Sequence, residues 1–435
     1  MKYMTKLPSE LEGLRPFKNE DSSDSLLFYA ADQKGNFIFI NMTRRRHRTV
    51  ELIIQLHLTD GRTYQLPNHP DSVIVNNANP GWSAAGLKIT PLESWRRWRI
   101  TFNGLLRNGI RRHQHQDDGA IEHVRFNFIY IANDRPLLWL KDWSPTLQAD
   151  ALAREPWKNP QWIDMIKTDQ TGGFDQWGSL TGQIIFENSS TNDLYLRGLR
   201  QRRWGTHKPA HLHRTVNIVG TTHDGAMYCL GANSSKEGLT HMQFGHVRQA
   251  NELLYPIDWM DFDLAFYAEQ RENIPTRYVV NFRAGGRKYK TEITRIMDSG
   301  ATLFGGRPWD WEARVFNIQT KLNNDEGFGI AYLWYNYDGP SPLRPVPRIF
   351  HLSPTDIKPE ANLYTVSFED KICQSEAAVG GKGSSLALLT TVPNKEFVVP
   401  QGFCITVAAL NLQIEKNETL SKFVTYVEDI SSGKL

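Results

Sequence analysis

The sequence predicts a mainly β protein: two tandem antiparallel barrel or sandwich bodies, followed by a small segment of mixed α and β structure. Three observations carry this. Apolar and polar residues alternate with a period of two, as in Leu52, Ile54, Leu56 and Leu58 set against Glu51, Gln55 and His57; that period marks strands with one buried face. The chain is rich in aromatics, with 13 Trp, 15 Tyr and 21 Phe, and such side chains suit a pleated surface. Turn signals punctuate the alternation until Pro340, Pro342, Pro345 and Pro347 crowd one stretch, where helix and sheet are both blocked.

In order, residues 1–24 are a polar tail with Pro8, Pro16 and a Ser/Asp cluster, able to strap onto a neighbouring element. The first body spans 25–165. Asp60-Gly61 is a strong hairpin signal, and Thr63 to Leu66 returns as the partner strand. Trp98, Ile100 and Phe102 alternate with Arg97, Arg99 and Thr101; Val124, Phe126, Phe128 and Tyr130 alternate with Arg125 and Asn127. A helix is expected over 144–155, with Ser144 as its cap and Pro145 at its first position. The second body spans 166–340, with hairpin turns at Asp224-Gly225 and Gly285-Gly286. A proline-rich linker follows at 341–360, then the mixed segment at 361–435. There Leu363 to Phe368 reads as a strand, and Leu420, Phe423, Val424 and Val427 share one face of an amphipathic helix.

The 435 residues suggest roughly two to four domains. A composition of 40% hydrophobic and 22% charged residues is globular. Net charge is only +3, which argues against nucleic acid or an anionic membrane as partner. Cys229, Cys373 and Cys404 show no CxxC spacing, so neither a disulfide framework nor a zinc site is indicated, and reduced thiols in the cytoplasm are expected. The N-terminus lacks an apolar signal region, and no run approaches the ~18 apolar residues of a membrane span.

One late stretch carries a chemical suggestion. In Val379-Gly380-Gly381-Lys382-Gly383-Ser384-Ser385-Leu386, three glycines and a lysine precede an apolar, helix-forming run. Backbone N–H groups and one ammonium presented this way suit a phosphate; a simple turn before a helix is the alternative. A Walker loop does not fit, because Glu376 stands at its first glycine and Gly383 where a hydroxyl should bind magnesium. With Val399-Pro400-Gln401-Gly402-Phe403 following, the stretch resembles the opening of the ATP-grasp-like nucleotide-binding domain of phosphoenolpyruvate synthases and pyruvate phosphate dikinases, "GGKGxxLxxL…VPxGF". The resemblance covers about 361–435. It implies an ATP contact at Gly380, Gly381, Lys382 and Gly383 in a kinase-type phosphotransferase. The family's magnesium ligands and its phosphorylated histidine would lie beyond Leu435, so the chain alone is expected to be inactive.

In the β region, Leu194-Tyr195-Leu196-Arg197-Gly198-Leu199-Arg200-Gln201-Arg202-Arg203-Trp204-Gly205 resembles the "GxGxRDxSWG" strand of paired lipocalin-like barrels related to carotenoid hydratases. Gln201-Arg202-Arg203-Trp204 replaces that pattern's acidic residue and histidine, so hydratase chemistry is not carried over. The arrangement of β bodies and then "GGKG" is similar to the N-terminal half of phosphoenolpyruvate synthase-like proteins of animals. Alternation puts Arg200 and Arg202 on one face and Arg203 on the other. Inward arginines would make an anion or carboxylate site; an outward arginine face with Trp204 in the core is the preferred reading. His113, His115, Asp117 and Asp118 could hold a metal but read as a solvated loop, and Arg44-Arg45-Arg46-His47-Arg48 reads as an exposed hairpin rather than a phosphate patch.

Two functional readings follow. The main one is the N-terminal part or a shortened relative of a phosphoenolpyruvate synthase-like enzyme, with ATP as cofactor and nucleotide as partner. The alternative is a non-catalytic lipocalin-like binding module whose β bodies enclose a hydrophobic or isoprenoid-type small ligand.

Overall fold

The computed structural model describes residues 8–69, 73–75, 81–109, 119–155, 172–188, 190–206, 212–236, 238–250, 253–265, 267, 269, 274–305, 311–336, 363–392 and 399–431. The chain divides into two compact units, Met1–Arg344 and Pro345–Leu435.

The first unit holds two closed antiparallel rings of eight strands. In chain order the first ring and its extensions are β1 (Ser22–Ala31), β2 (Phe37–Arg45), β3 (Thr49–His57), β4 (Thr63–Gln65), β5 (Val73–Val75), β6 (Ser83–Ala84), β7 (Leu87–Glu93), β8 (Arg97–Asn108), β9 (Ile121–Ala132), β10 (Leu137–Leu138), β11 (Gly172–Phe186) and β12 (Thr191–Thr206). Neighbours β1-β2-β3-β4-β8-β9-β11-β12 pair in turn, and β12 closes back onto β1. Closure leaves the ring without an open edge. The remaining short strands pair onto its sides.

Strands β13 (Leu212–Thr222), β14 (Met227–Ser235), β15 (Met242–Arg248), β16 (Tyr255–Met260), β17 (Arg277–Ala284), β18 (Arg287–Gly305), β19 (Trp311–Leu322) and β20 (Asp325–Asn336) form the second ring as a simple meander closed by β13 and β20. The expected boundary at 165 is therefore displaced. Gly172–Thr206 belongs to the first ring, because β11 and β12 supply the pairing that joins β9 to β1.

The local expectations map onto these rings. Leu52, Ile54 and Leu56 of β3 are buried, as are Trp98, Ile100 and Phe102 of β8 and Val124 to Tyr130 at alternate positions of β9. Gly285 and Gly286 take φ values of 55° and 73° between β17 and β18, the geometry of a tight primed hairpin turn. The expected helix is α1 (Pro145–Arg154), with Ser144 at its N-cap position. Its Leu147 joins the core of the second ring.

Both interiors hold large apolar cores. Phe28, Ile40, Leu52, Ile100, Phe128 and Leu196 belong to the core of the first ring, and Tyr228, Val280, Phe282, Ile293 and Leu333 to that of the second. A third apolar layer lies between the rings. Outward residues Tyr29, Phe39, Trp177 and Leu199 of the first meet Val219, Met227, Ile330 and Trp334 of the second. Phe39 and Tyr332 stack there, with centroids 5.5 Å apart and planes inclined by 13°. These strands are buried on both faces, which erases the polar half of the alternation.

The second unit contains β21 (Thr365–Ser367) paired with β22 (Phe403–Ile405), α2 (Glu376–Thr390), α3 (Val407–Lys416) and α4 (Glu418–Ser431). Its buried core is small, built on Val366, Cys373 and Ala387. The linker expected at 341–360 lies outside the described residues.

Candidate ligand-binding site at the barrel seam

The apolar layer between the rings encloses a polar cluster. Asp175 and Trp177 project from β11, Cys229 from β14 and His246 from β15, and none is more than 3% exposed. Ligand atoms of Asp175, Cys229 and His246 all lie within 4.8 Å of one another. Trp177 Nε1 donates to His246 Nε2 at 2.8 Å, and Gln201 Nε2 donates to Asp175 Oδ1 at 2.9 Å. The Tyr29 hydroxyl, also buried, has no hydrogen-bond partner among the described residues.

Desolvation sets the charge state of this cluster. Burial raises Asp175 to about 6 and pushes the Cys229 thiol well up. Burial, reinforced by the Arg135 charge, lowers His246 to about 3. Each group is thus driven toward its neutral form, as expected where water is excluded. The donor set is one that could hold a metal ion. His246 Nε2 and Asp175 Oδ1 already have partners, so the cluster stands as a buried hydrogen-bonded network.

The same strands carry outward residues to a cleft at the seam. Two steps along β14 and β15 from Cys229 and His246 are Met227 and Arg248, which line a cavity of about 220 Å³ with Asn133, Tyr195 and Arg197. A larger groove of about 730 Å³ runs over the outer face of β9, β11 and β12, lined by Ile129, Ile185, Asn127, Gln183 and Tyr195. Tyr195 lines both and is 56% exposed. Arg248 faces Asp134 at 3.6 Å, and Arg197 Nη1 donates to the Thr222 carbonyl at 3.4 Å. One end of this surface is mostly apolar, with Arg125 and Asp193 at its rim, and the other brings two guanidiniums together beside Asp224.

The strand Thr191–Thr206 corrects the preferred reading of its arginines. Arg200 and Arg202 point into the first ring and are each 1% exposed. Arg200 pairs with Glu12 at 2.6 Å, and Arg202 with Asp24 at 2.7 Å. Alternation had grouped these two correctly; only the direction differed, because Glu12 and Asp24 supply the compensating charge. The basic run at 44–48 is a hairpin, with His47 and Arg48 at positive φ and Arg44, Arg45 and Arg46 paired to Asp24, Glu51 and Glu20. His113, His115, Asp117 and Asp118 lie outside the described residues.

The glycine stretch lies in α2. Gly380 takes φ 73° and breaks the helix there, a conformation that favours glycine. Lys382 is exposed. A Cβ on Gly383 would come within 2.7 Å of Cys404 Sγ, so this glycine admits the close packing of α2 on β22. Gly402 serves similarly, since a Cβ there would meet the Phe368 ring at 2.4 Å. Of these two, Gly383 belongs to the stretch that the sequence suggested as a phosphate cradle, and Gly402 to the Val399–Phe403 stretch that follows it.

No curated protein matches the chain. Solved structures similar to it include a protein described as an AttH from Nitrosomonas europaea, at 12% identity and TM-score 0.44, covering 73% of this chain and 92% of that one. Kievitone hydratase from Nectria haematococca is similar at 11% identity and TM-score 0.38, covering 73% and 90%. CghA with Sch210972 is similar at 11% identity and TM-score 0.41, covering 73% and 89%. Neither these structures nor the matching family model is a phosphoenolpyruvate synthase or pyruvate phosphate dikinase. The resemblance drawn from the glycine stretch, with its ATP-grasp-like domain and kinase activity, is corrected accordingly. The family model matches residues 4–335, both rings save the last residue of β20, and stops short of that stretch. The chain belongs to the family of unknown function DUF8627.

Proposed function

We propose that the paired barrels are a binding module for a small amphipathic ligand held along the seam. The observation that carries this is Tyr195, which joins the apolar groove of β9, β11 and β12 to the cavity containing Arg197 and Arg248. Ile129, Ile185 and the Tyr195 ring offer apolar surface worth about 25 cal/mol per Å² covered. The two guanidiniums offer charge-assisted hydrogen bonds to an acidic head group. The seam is favoured over a barrel lumen because extensive apolar cores occupy both interiors. A hydrophobic or isoprenoid-type body with a carboxylate at one end suits these two ends.

The test is calorimetric titration of delipidated protein with farnesoic acid, farnesol and palmitate. Saturable binding of the acids, weakened about tenfold or more by Tyr195→Ala and by the double change Arg197→Gln/Arg248→Gln, is expected. Failure of all three compounds to bind, or binding indifferent to these substitutions, overturns the reading.

A further inference from the structure

A second site lies at the end of the first barrel, and a residue of this chain occupies it. Four donors converge on the Glu12 carboxylate. Arg200 Nη2 is 2.6 Å from Oε1 and Trp98 Nε1 is 3.3 Å from it; the Trp95 backbone N–H and Ser94 Oγ donate to Oε2 at 2.6 and 2.9 Å. Arg200 is held in place from the other side. Its guanidinium lies 4.8 Å from the Trp98 ring and 5.1 Å from that of Phe174. Gln176 Oε1 accepts from it at 2.6 Å, while the amide of the same Gln176 is tied to the carbonyls of Trp95 and Asp134. Arg200 Nε is buried without a hydrogen-bond partner among the described residues. Trp95 takes φ 62°, a left-handed conformation strained for a bulky residue, and its N–H comes as close to Glu12 as the Arg200 guanidinium does.

The segment that delivers Glu12 is built differently. From 8 to 21, Glu12 is the sole buried residue; the others are exposed or half-buried, and Leu14 is 44% exposed. Polar contacts hold the strap: Arg202 Nη2 donates to the Gly13 carbonyl at 2.8 Å, and the Arg15 guanidinium lies 4.3 Å from the Trp204 ring. A preorganised, aromatic-walled carboxylate receptor is thus filled by one side chain on a strap with little apolar anchorage.

We propose that the Arg200 socket is a recognition site for a small carboxylate bearing an apolar or aromatic body, and that Glu12 occupies it as a tethered competitor that the ligand displaces. Tethering gives Glu12 a high effective concentration. A free acid competes by adding apolar contacts to the rings of Trp95, Trp98 and Phe174, beyond the N–H groups of Trp95 and Trp98 that Glu12 uses. With the Glu12 carboxylate removed, Arg200 is buried without its counter-charge, and an incoming carboxylate restores it where a neutral isostere cannot.

The experiment uses the full chain, with benzoate and propionate as probes and benzamide and sodium chloride as controls. Glu12→Ala is expected to melt below the wild type. It should regain most of the difference saturably with benzoate or propionate and not with the controls, and Glu12→Ala/Arg200→Met should lose that response. In the wild type, the same acids should speed tryptic cleavage after Lys18 several-fold as the strap lifts. Equal responses of Glu12→Ala to benzoate and benzamide overturn the proposal. Carboxylate rescue of the variant with no change in wild-type cleavage also overturns it, leaving Glu12 a structural ion-pair partner. If the variant does not fold, the wild-type cleavage assay decides alone.

Discussion

Trp177 and His246 are hydrogen-bonded across the seam between the two barrels, the indole Nε1 donating to the imidazole Nε2 at 2.8 Å. The bond makes Nε2 the acceptor and so leaves the single proton of the neutral ring on Nδ1. It also ties β11 of one ring to β15 of the other at a point from which water is excluded. Replacing Trp177 by Phe retains an aromatic ring but strands a buried acceptor. A loss of about 1–3 kcal/mol is expected, read from the urea midpoint at unchanged slope.

Asp175 and His246 oppose each other in their response to pH. His246, lowered to about 3 by burial, contributes stability that is present above its ordinary value near 6.5 and lost as pH falls toward 3. Asp175, raised to about 6 by burial, contributes stability that is present below its ordinary value near 3.8 and lost as pH rises through 6. Between pH 4 and 6 the two slopes, each about 1.4 kcal/mol per unit, largely cancel. Asp175→Asn should expose the histidine slope, with stability climbing from pH 4 to 6.5, and should raise stability at pH 8 by about 2–3 kcal/mol. His246→Gln should show the reverse slope between pH 4 and 6. Denaturant midpoints of the three proteins across that range check both.

The two rings place glycines for separable reasons. At Gly198 in β12 a Cβ would stand 2.0 Å from the Tyr29 carbonyl oxygen, on the strand pair that closes the first ring. Gly198→Ala should cost about 1–3 kcal/mol or more through overpacking. Gly286 has open space around it and φ 73°. Gly286→Ala should cost about 1–2 kcal/mol from backbone strain alone. Gly286→Asn, which tolerates that conformation better, should recover part of the loss, whereas no residue with a Cβ recovers Gly198.

Thiol chemistry should separate the two units. Cys229 is 1% exposed and its pKa is pushed up by burial, and a protonated, inaccessible thiol does not react. In the second unit Cys373 is raised to about 12, by burial first and then by the neighbouring Cys404, while Cys404 is half-buried. Brief iodoacetamide treatment of folded protein, followed by peptide mass mapping, should find label on Cys404 before Cys373 and Cys229. Rapid labelling of Cys229 would contradict the seam packing.

Local pattern was legible wherever a single strand or turn carried it. Leu52, Ile54 and Leu56, the Trp98–Phe102 and Val124–Tyr130 alternations, the Gly285-Gly286 turn and the helix after Ser144 follow from rules spanning a few residues. The seam was not legible. Tyr29, Trp177 and Leu199 are buried on the outer face of one ring by the other, and alternation has no signature for a strand covered on both sides. The packing of Gly383 on Cys404 and of Gly402 on Phe368 was not legible for a related reason: spacing does not reveal these partners.

By itself, then, the sequence determined that this chain is built of antiparallel strands in two bodies, where its hairpins turn, and that Arg200 and Arg202 share a face. Period two specifies which side chains travel together and leaves open which way they face. Only the tertiary structure decided that β11 and β12 close the first ring, that the two arginines face inward onto Glu12 and Asp24, and that Asp175, Cys229 and His246 meet at a seam. Those outcomes depend on ring closure and on charge compensation between residues as far apart as Glu12 and Arg200. Such pairings are settled by the free energy of burying the whole assembly, which no local window of sequence contains.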